Sequence, residues 1–105
     1  NYLNLGNSLY RTGNIEKAIL NFKKAIHLNS SSTEALYNLG NALGQQKKYL
    51  EAKGYYEQVI NLDEKLPLPY YGLGLVHHYT GQNLKAVAAF KKALSLMGQM
   101  GSRAY

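Results

Sequence analysis

A four-residue string that recurs at a fixed interval is the strongest constraint on the fold of this chain. Asn4-Leu5-Gly6-Asn7 reappears 34 residues later as Asn38-Leu39-Gly40-Asn41, and after another 34 residues its Leu-Gly centre persists in Gly72-Leu73-Gly74-Leu75. A constant period of this length is typical of helical repeat arrays, in which each repeat buries its apolar face only against its neighbours. The chain has 105 residues, so three repeats fill nearly all of it as one domain.

Apolar and small residues recur at the same interval and with helical spacing. Ala18, Phe22 and Ala25 are separated by four and then three residues, which marks one face of an α-helix. Each repeat is therefore predicted to contain two amphipathic helices, and the six are expected near 1–12, 15–28, 33–46, 49–62, 67–80 and 83–97. Glycine inside a helix costs about 1 kcal/mol relative to Ala. We therefore expect the glycines at 6, 40 and 74 to permit close approach of the paired helix.

These positions resemble the tetratricopeptide repeat, whose pattern has a large aromatic residue, then Leu-Gly, and later Ala, an aromatic residue, Ala and Pro. The resemblance covers the whole chain and implies an all-α fold of stacked antiparallel helix pairs, three repeats forming a right-handed superhelix. Repeat 1 is expected from residue 1 to about 32 and is incomplete at its start, repeat 2 over 33–66, and repeat 3 over 67–100. The chain departs from the pattern at the closing Pro, which is replaced by Glu64 in repeat 2 and by Gly98 in repeat 3.

Turn and capping residues lie where this scheme needs helices to end. Gly13-Asn14 and Gly81-Gln82-Asn83 predict turns, with Asn14 able to cap the second helix, and Lys47-Lys48 stands at the equivalent place in repeat 2. Ser31 and Glu34 offer a capping box.

Both ends of the chain cut across the repeat pattern. Residue 1 begins inside a repeat, and residues 101–105 could form the first turn of a further helix. No polar capping element is seen at either end, so we expect this chain to be a segment of a longer array.

The resemblance also implies a binding surface, because the first helix of each pair lines the concave side in this family. The predicted partner-binding residues all lie on first helices, and they are Asn4, Asn7, Tyr10, Arg11, Tyr37, Asn38, Asn41, Tyr71, Leu75, His78 and Tyr79. Leu3, Glu34, Gln45 and Leu68 are expected beside them.

The asparagines suggest how such a surface could hold a peptide. An Asn side chain offers both a donor and an acceptor, so it can engage the N–H and C=O groups of an extended ligand. Asn4 and Asn38 fall at the position of an asparagine ladder that is similar to one known in this family, and Gly72 interrupts it. The alternative is that Asn is a common filler at a solvated position. A clamp for a terminal carboxylate is disfavoured, because its cationic positions are occupied by Leu3, Leu68 and Gly72.

The net charge of +6 lies mainly on the second helices. The lysines concerned are Lys17, Lys23, Lys24, Lys53, Lys85, Lys91 and Lys92. A solvated outer face is the expectation, and nucleic-acid binding through these lysines is the less favoured alternative.

Other chemistries find little support in the residues. The chain has no Cys, and His77-His78 has no carboxylate spaced to complete a metal site. We therefore expect no catalysis, no cofactor, no metal and no small-molecule substrate. No apolar run is long enough for a membrane span, and no signal peptide is seen. The compartment stays unknown, with a cytoplasmic location favoured.

The predicted function is non-catalytic binding of an extended or helical protein segment in the concave groove, within a longer scaffold or adaptor. The alternative is a structural segment that self-associates through its uncapped ends.

Overall fold

The computed structural model describes residues 1–102, which form six α-helices without a strand in that span. The helices are α1 Tyr2–Arg11, α2 Ile15–Leu28, α3 Thr33–Gln45, α4 Tyr49–Leu62, α5 Leu68–Tyr79 and α6 Asn83–Ser102. Each helix packs on the next, and the odd-numbered helices also contact one another, α1 with α3 and α3 with α5. The predicted all-α stack of helix pairs is confirmed.

The core lies between the paired helices, at the positions that recur along the sequence. Ala18 and Phe22 of α2 are fully buried, as are Leu39 of α3 and Ala52 of α4. They join Tyr56 and Val76 in one cluster that extends through all three repeats. Because every repeat contributes to this cluster, none of the helix pairs is an independent folding unit.

Two helical glycines lie against a single aromatic ring. A Cβ atom added at Gly40 would come within 2.7 Å of the Tyr56 ring, and one added at Gly72 would come within 2.6 Å of the same ring. Gly6 stands in the same relation to Phe22, and Gly74 to Phe90. The predicted close approach is confirmed. In addition, the ring of Tyr56 is shared between its own repeat and the next one.

The turns inside the three repeats have one backbone geometry. Gly13 and Gly81 adopt positive φ angles of 86° and 79°, and Lys47 adopts 63° at the equivalent position. The turns predicted at Gly13 and Gly81 are therefore confirmed, and the Lys-Lys sequence forms the same turn without a glycine.

Two capping predictions were wrong in detail. The N-cap of α3 is Ser32, whose hydroxyl accepts from the backbone N–H of Ala35 at 3.3 Å. Ser31 cannot take this place, because its own N–H donates to the Asn29 side chain at 3.1 Å and holds it in the preceding turn. Asn14 does occupy the N-cap position of α2, but its side chain makes no capping hydrogen bond.

The last helix is longer than the sequence indicated. α6 continues to Ser102, beyond the expected end at residue 97. Gly98 replaces the family's closing Pro, so the chain lacks the residue that would stop the helix sterically. Gly101 and Ser102 accordingly continue α6, although the sequence had suggested that a further helix could start there. Residues 103–105, the rest of that expected helix, lie outside the described residues.

Candidate functional site

Two adjoining cavities run along the odd-numbered helices. The first, the amide cavity, has a volume of about 320 Å³ and is lined by Asn7, Tyr10, Arg11, Phe22, Glu34, Asn38 and Asn41. The second, the tyrosine cavity, has a volume of about 400 Å³ and is lined by Tyr10, Asn41, Gly44, Gln45, Lys47, Tyr49, Tyr56, Gly72, Leu75, Val76 and Tyr79. Tyr10 and Asn41 line both cavities, which together form one groove across the three repeats.

Hydrogen bonds fix the amide side chains of this groove. The Nδ2 atom of Asn38 donates to Oδ1 of Asn7 at 2.7 Å, which links repeats 2 and 1. The hydroxyl of Tyr56 donates to Oδ1 of Asn41 at 2.6 Å. Each Asn still offers further capacity, because an amide has two N–H donors and an oxygen that accepts two hydrogen bonds. Oδ1 of Asn38 and the Nδ2 groups of Asn7 and Asn41 can therefore engage a ligand.

The Tyr56 hydroxyl lies where the core meets the groove. Burial raises the pKa of Tyr56 well above its ordinary value, and the neighbouring Tyr37 and Tyr10 add to this rise. The hydroxyl is therefore a neutral hydrogen-bond donor at physiological pH, and Asn41 is its acceptor.

Aromatic side chains form one wall of the tyrosine cavity. The rings of Tyr49 and Tyr79 are stacked, with centroids 5.5 Å apart and an interplanar angle of 12°. Tyr79 remains 61% exposed, so much of its surface is available to a ligand. At the junction of the two cavities, Nε2 of Gln45 donates to the hydroxyl of Tyr10 at 3.4 Å.

The structure brings together most, but not all, of the residues predicted for the site. Those that line the groove are Asn7, Tyr10, Arg11, Asn38, Asn41, Leu75 and Tyr79. Tyr71 instead packs against Phe90, with centroids 5.6 Å apart, beside a separate apolar cavity. Tyr37 contacts the Tyr56 ring at 5.7 Å and lines a cavity near the starts of α3 and α5. His78 is exposed and lines neither cavity of the groove, although its ring meets that of Tyr79 at 5.2 Å.

Asn4 also lies apart from the groove. It lines a cavity at the outer side of α1, together with Asn1, Tyr2, Leu5, Ser8 and Leu28. Asn4 is equivalent to Asn38, which bonds to Asn7 of the preceding repeat. The described residues begin at Asn1, so residues 1–102 include no counterpart of Asn7 on the outer side of Asn4.

Several groove-lining residues were not predicted as part of the site, among them Lys47, Tyr49 and Tyr56. Tyr56 lies 34 residues after Phe22, at the same position of the apolar stripe. The sequence did hold a signal that Tyr56 reaches a polar surface. The equivalent positions carry Phe22 and Phe90, whereas a tyrosine at a core position needs a hydrogen-bond partner for its hydroxyl.

The outer face of the even-numbered helices carries solvated lysines, as expected. Lys17, Lys23, Lys85 and Lys91 are exposed. Two further lysines cover aromatic rings of first helices: Nζ of Lys24 lies 5.4 Å from the Tyr2 centroid, and Nζ of Lys92 lies 5.9 Å from that of Tyr70.

Within residues 1–102, no group of three or more acidic or histidine side chains is placed to hold a metal ion. Over the same span, none of the helices combines the length and the apolar character that crossing a membrane requires.

Comparison with known families gives two matches that together cover nearly all of the chain. One family model, described as TPR repeat, matches residues 6–47, and another, described as tetratricopeptide repeat, matches residues 31–99.

Individual proteins are similar over most of this chain. Photosystem I assembly protein Ycf3 from Acaryochloris marina is 27% identical over 95 residues, which are 88% of this chain and 57% of that protein. The crystal structure of MamA superimposes with a TM-score of 0.90 at 28% identity, covering 96% of this chain and 59% of MamA. YrrB, described as a TPR protein with an unusual peptide-binding site, gives a TM-score of 0.80 at 29% identity, covering 90% of this chain and 49% of YrrB. The chain thus spans little more than half the length of the first two relatives.

Proposed function

The chain belongs to the tetratricopeptide repeat family, and we propose that it is a non-catalytic protein-interaction module that binds an extended protein segment along its groove. The observation that carries this proposal is the row formed by Asn7, Asn38 and Asn41. These side chains are held by hydrogen bonds, yet each retains polar atoms that face a cavity. The peptide-binding site described for YrrB, whose structure is similar over most of this chain, supports the same class of function.

The amide row suits a ligand backbone. An extended peptide presents N–H and C=O groups along its length, and these need partners when the peptide leaves water. Nδ2 of Asn7 and of Asn41 can donate to ligand carbonyl groups, while Oδ1 of Asn38 can accept from a ligand N–H. Because Asn38 and Asn7 are already bonded to each other, little side-chain entropy is lost when the ligand binds.

The tyrosine cavity supplies apolar contact next to the amide row. Tyr10, Tyr79 and Leu75 offer apolar surface for a ligand side chain, and the Tyr49 ring stacks on that of Tyr79 and holds its orientation. Arg11 adds positive charge to the amide cavity and Lys47 adds it to the tyrosine cavity, while Glu34 is the one carboxylate among the lining residues. The groove therefore holds a backbone firmly and leaves side-chain selection mainly to its aromatic half.

A matched pair of alanine variants tests this proposal. Peptides selected for binding to the 105-residue chain from a random phage-displayed library would be measured by fluorescence anisotropy. We expect Asn38→Ala to weaken their binding by about fivefold or more, since it removes a hydrogen bond and frees Asn7. Asn4→Ala changes the same residue type at the equivalent position outside the groove and should bind as the parent chain does.

Asn41 is less suitable for this test, because its loss would strand the Tyr56 hydroxyl and disturb the core. Circular dichroism would establish that both variants keep their helices. Equal affinities for the parent, Asn38→Ala and Asn4→Ala chains would rule out the amide row as the binding element. Failure to enrich any peptide would contradict the groove function itself.

A further inference from the structure

The tyrosine cavity differs in chemistry from the amide cavity beside it. The four tyrosines that line it come from all three repeats, and they are Tyr10, Tyr49, Tyr56 and Tyr79. The rest of its apolar surface is supplied by small or aliphatic residues, which are Gly44, Gly72, Leu75 and Val76. Aromatic rings over such a surface form a slot that suits a flat, apolar and uncharged ligand side chain.

The hydrogen bonds among the lining residues leave mainly donors for a ligand. Oδ1 of Asn41 accepts from Tyr56, so the Nδ2 hydrogens of Asn41 are left for a ligand. The hydroxyl of Tyr10 accepts from Gln45, so its own proton can be donated elsewhere. Lys47 adds an ammonium group, which only donates. Within residues 1–102, no carboxylate lines this cavity, so its donors outnumber its acceptors.

A proline-rich segment matches this excess of donors. Proline has a backbone carbonyl group but no N–H, so it needs donors from its partner and no acceptor. A run of prolines forms the polyproline II helix, which has three residues per turn and no internal hydrogen bonds, so its carbonyl groups are available to a partner. This helix exists before binding and packs well into aromatic-lined grooves. An extended peptide of other residues would bring N–H groups for which the cavity has fewer acceptors.

The stacked rings of Tyr49 and Tyr79 provide a surface for the proline rings. Their interplanar angle of 12° holds Tyr79 in one orientation, while 61% of its surface stays exposed. A pyrrolidine ring can pack on this fixed aromatic face with little loss of freedom on either side. An anionic ligand fits less well, because Lys47 is the one cation among the lining residues within residues 1–102. A proline-rich ligand is therefore favoured over an acidic one.

We infer that the tyrosine cavity binds a proline-rich segment in the polyproline II conformation. Tyr10 and Asn41 donate to its carbonyl groups, and its rings pack on Tyr79. The inference rests on the proposed function, because it assigns a ligand class to one half of the same groove. Neighbouring ligand residues that do carry an N–H would lie in the amide cavity, where Oδ1 of Asn38 can accept from them.

Two uncharged peptides with blocked ends test the inference by isothermal titration calorimetry. Octaproline has the rings and the preformed helix. Octasarcosine also lacks backbone N–H groups, but it has no rings and is flexible. We expect octaproline to bind the 105-residue chain at least about fivefold more tightly than octasarcosine, since less conformational entropy is lost. Its affinity should change little with salt, because the peptide carries no charge.

Glycine variants locate the binding site. Gly44 lines the tyrosine cavity, and a Cβ atom added there would meet no atom within 4 Å. Gly44→Leu therefore fills the cavity from an open position and should weaken octaproline binding at least about tenfold. Gly54 of α4 also has open space at its Cβ position but lines neither cavity of the groove. Gly54→Leu is the matched control and should bind as the parent chain does. Both changes favour a helix, and circular dichroism would check that the fold is kept.

Tyr10→Phe tests the donor argument by itself, because it keeps the ring and removes only the hydroxyl. We expect octaproline to bind this variant about threefold or more weakly, as for the loss of one hydrogen bond. Tyr55→Phe removes a hydroxyl from a residue that lines neither cavity of the groove, and it should leave the affinity unchanged.

Several results would overturn the inference. Equal binding of octaproline and octasarcosine would remove the argument from the preformed helix, and unchanged affinity in Gly44→Leu would place the binding elsewhere. Salt-sensitive binding of octaglutamate that is tighter than that of octaproline, and that Gly44→Leu abolishes, would assign the cavity to an acidic segment.

These failures can be told apart from failure of the groove function. If library-selected peptides bind and are weakened by Asn38→Ala, the groove function stands whatever octaproline does. If octaproline binds and Gly44→Leu abolishes its binding, the proline assignment stands even where Asn38→Ala has no effect.

Discussion

At the scale of single residues, Tyr56 has the most unusual position. Its ring fills the space that Gly40 and Gly72 leave open, while its hydroxyl reaches the groove and donates to Asn41. One side chain therefore joins the packing of two repeats to the placement of a groove amide. Burial keeps this hydroxyl neutral over a wider pH range than that of an ordinary tyrosine.

Tyr56 should make the stability of the chain depend on pH in the alkaline range. The folded-state pKa lies above the unfolded value near 10, so the unfolded chain releases this proton first as pH rises. The stabilisation is complete below about pH 10 and is lost above it, by about 1.4 kcal/mol per pH unit. Tyr56→Phe has no hydroxyl to titrate at this position. Its free energy of unfolding should therefore fall less steeply with rising pH than that of the parent chain.

Urea unfolding between about pH 9 and pH 11 measures this difference directly. Tyr55→Phe, which removes the neighbouring hydroxyl, is the control and should follow the parent chain. Parallel curves for the parent and Tyr56→Phe would show that Tyr56 titrates alike in the folded and unfolded states.

Single-residue roles could be predicted where they depend on the repeat period alone. The packing role of Gly40 follows from its recurrence inside a helix, and the structure shows the ring that it accommodates. The bond from Tyr56 to Asn41 could not be predicted in this way. It joins two helices, and their relative rotation decides which side chains meet.

At the scale of elements, the turn between the two helices of a repeat is the most uniform feature. All three turns pass through a positive φ angle, but only the turn of repeat 2 does so without glycine, at Lys47. A residue with a Cβ atom pays a steric cost of about 1 kcal/mol in this conformation. The turn between α3 and α4 is therefore the one with local strain.

Replacing Lys47 should relieve that strain. We expect Lys47→Gly to raise the free energy of unfolding by about 0.5 to 1 kcal/mol, part of the gain being offset by the greater freedom of glycine in the unfolded chain. Lys47→Ala removes the same charge but keeps the Cβ atom, so it should change stability little. Thermal and urea unfolding would compare the three chains, and equal gains for both variants would attribute the effect to charge.

Helix boundaries were predictable wherever a turn residue or the start of an apolar stripe marked them. The first five helices begin and end within two residues of the expected positions. α6 was predicted too short because the family pattern supplies a stop at Gly98, whereas the residues present there do not. The N-cap of α3 is Ser32 and not Ser31, because the backbone N–H of Ser31 donates to the Asn29 side chain. The sequence does not show this hydrogen bond, so it could not decide between the two serines.

At the scale of the whole molecule, stability should be greatest in the centre. Leu39 of α3 is fully buried, whereas the equivalent Leu5 of α1 is 51% exposed. In an array, each repeat is stabilised mainly by its neighbours, and among the three repeats of residues 1–102 only repeat 2 is packed against another on both sides. The groove residues Asn38 and Asn41 thus lie on the best-supported first helix.

Hydrogen exchange followed by mass spectrometry would test this distribution. Amides in α3 and α4 should exchange most slowly, and those in α1 and in the final turns of α6 fastest. Uniform protection along the chain would mean that the array unfolds as a single cooperative unit, and it would contradict this expectation.

The sequence predicted which helix face each site residue occupies, but it did not predict which residues of the adjacent repeat lie beside it. The sequence places Asn4 and Asn38 at equivalent positions, but within residues 1–102 only Asn38 lies beside an Asn7 to which it can donate. Contacts inside a repeat do recur, because Tyr37 and Tyr71 occupy one repeat position and each packs on the equivalent ring of its own repeat, Tyr56 and Phe90. Equivalence along the chain predicts which helix face a residue occupies, and the stack decides what stands opposite.

The ring of Tyr56 finally makes the order of the three repeats significant. Repeat 2 presents Asn38 beside Phe22, a ring without a hydroxyl, whereas repeat 3 presents Gly72 to Tyr56. A second copy of repeat 2 inserted in place of repeat 3 would bring an asparagine against Tyr56, whose ring would have to move to admit even a Cβ atom. The repeats are therefore not interchangeable modules. A duplication or recombination that reorders them must also change the ring or the residue facing it.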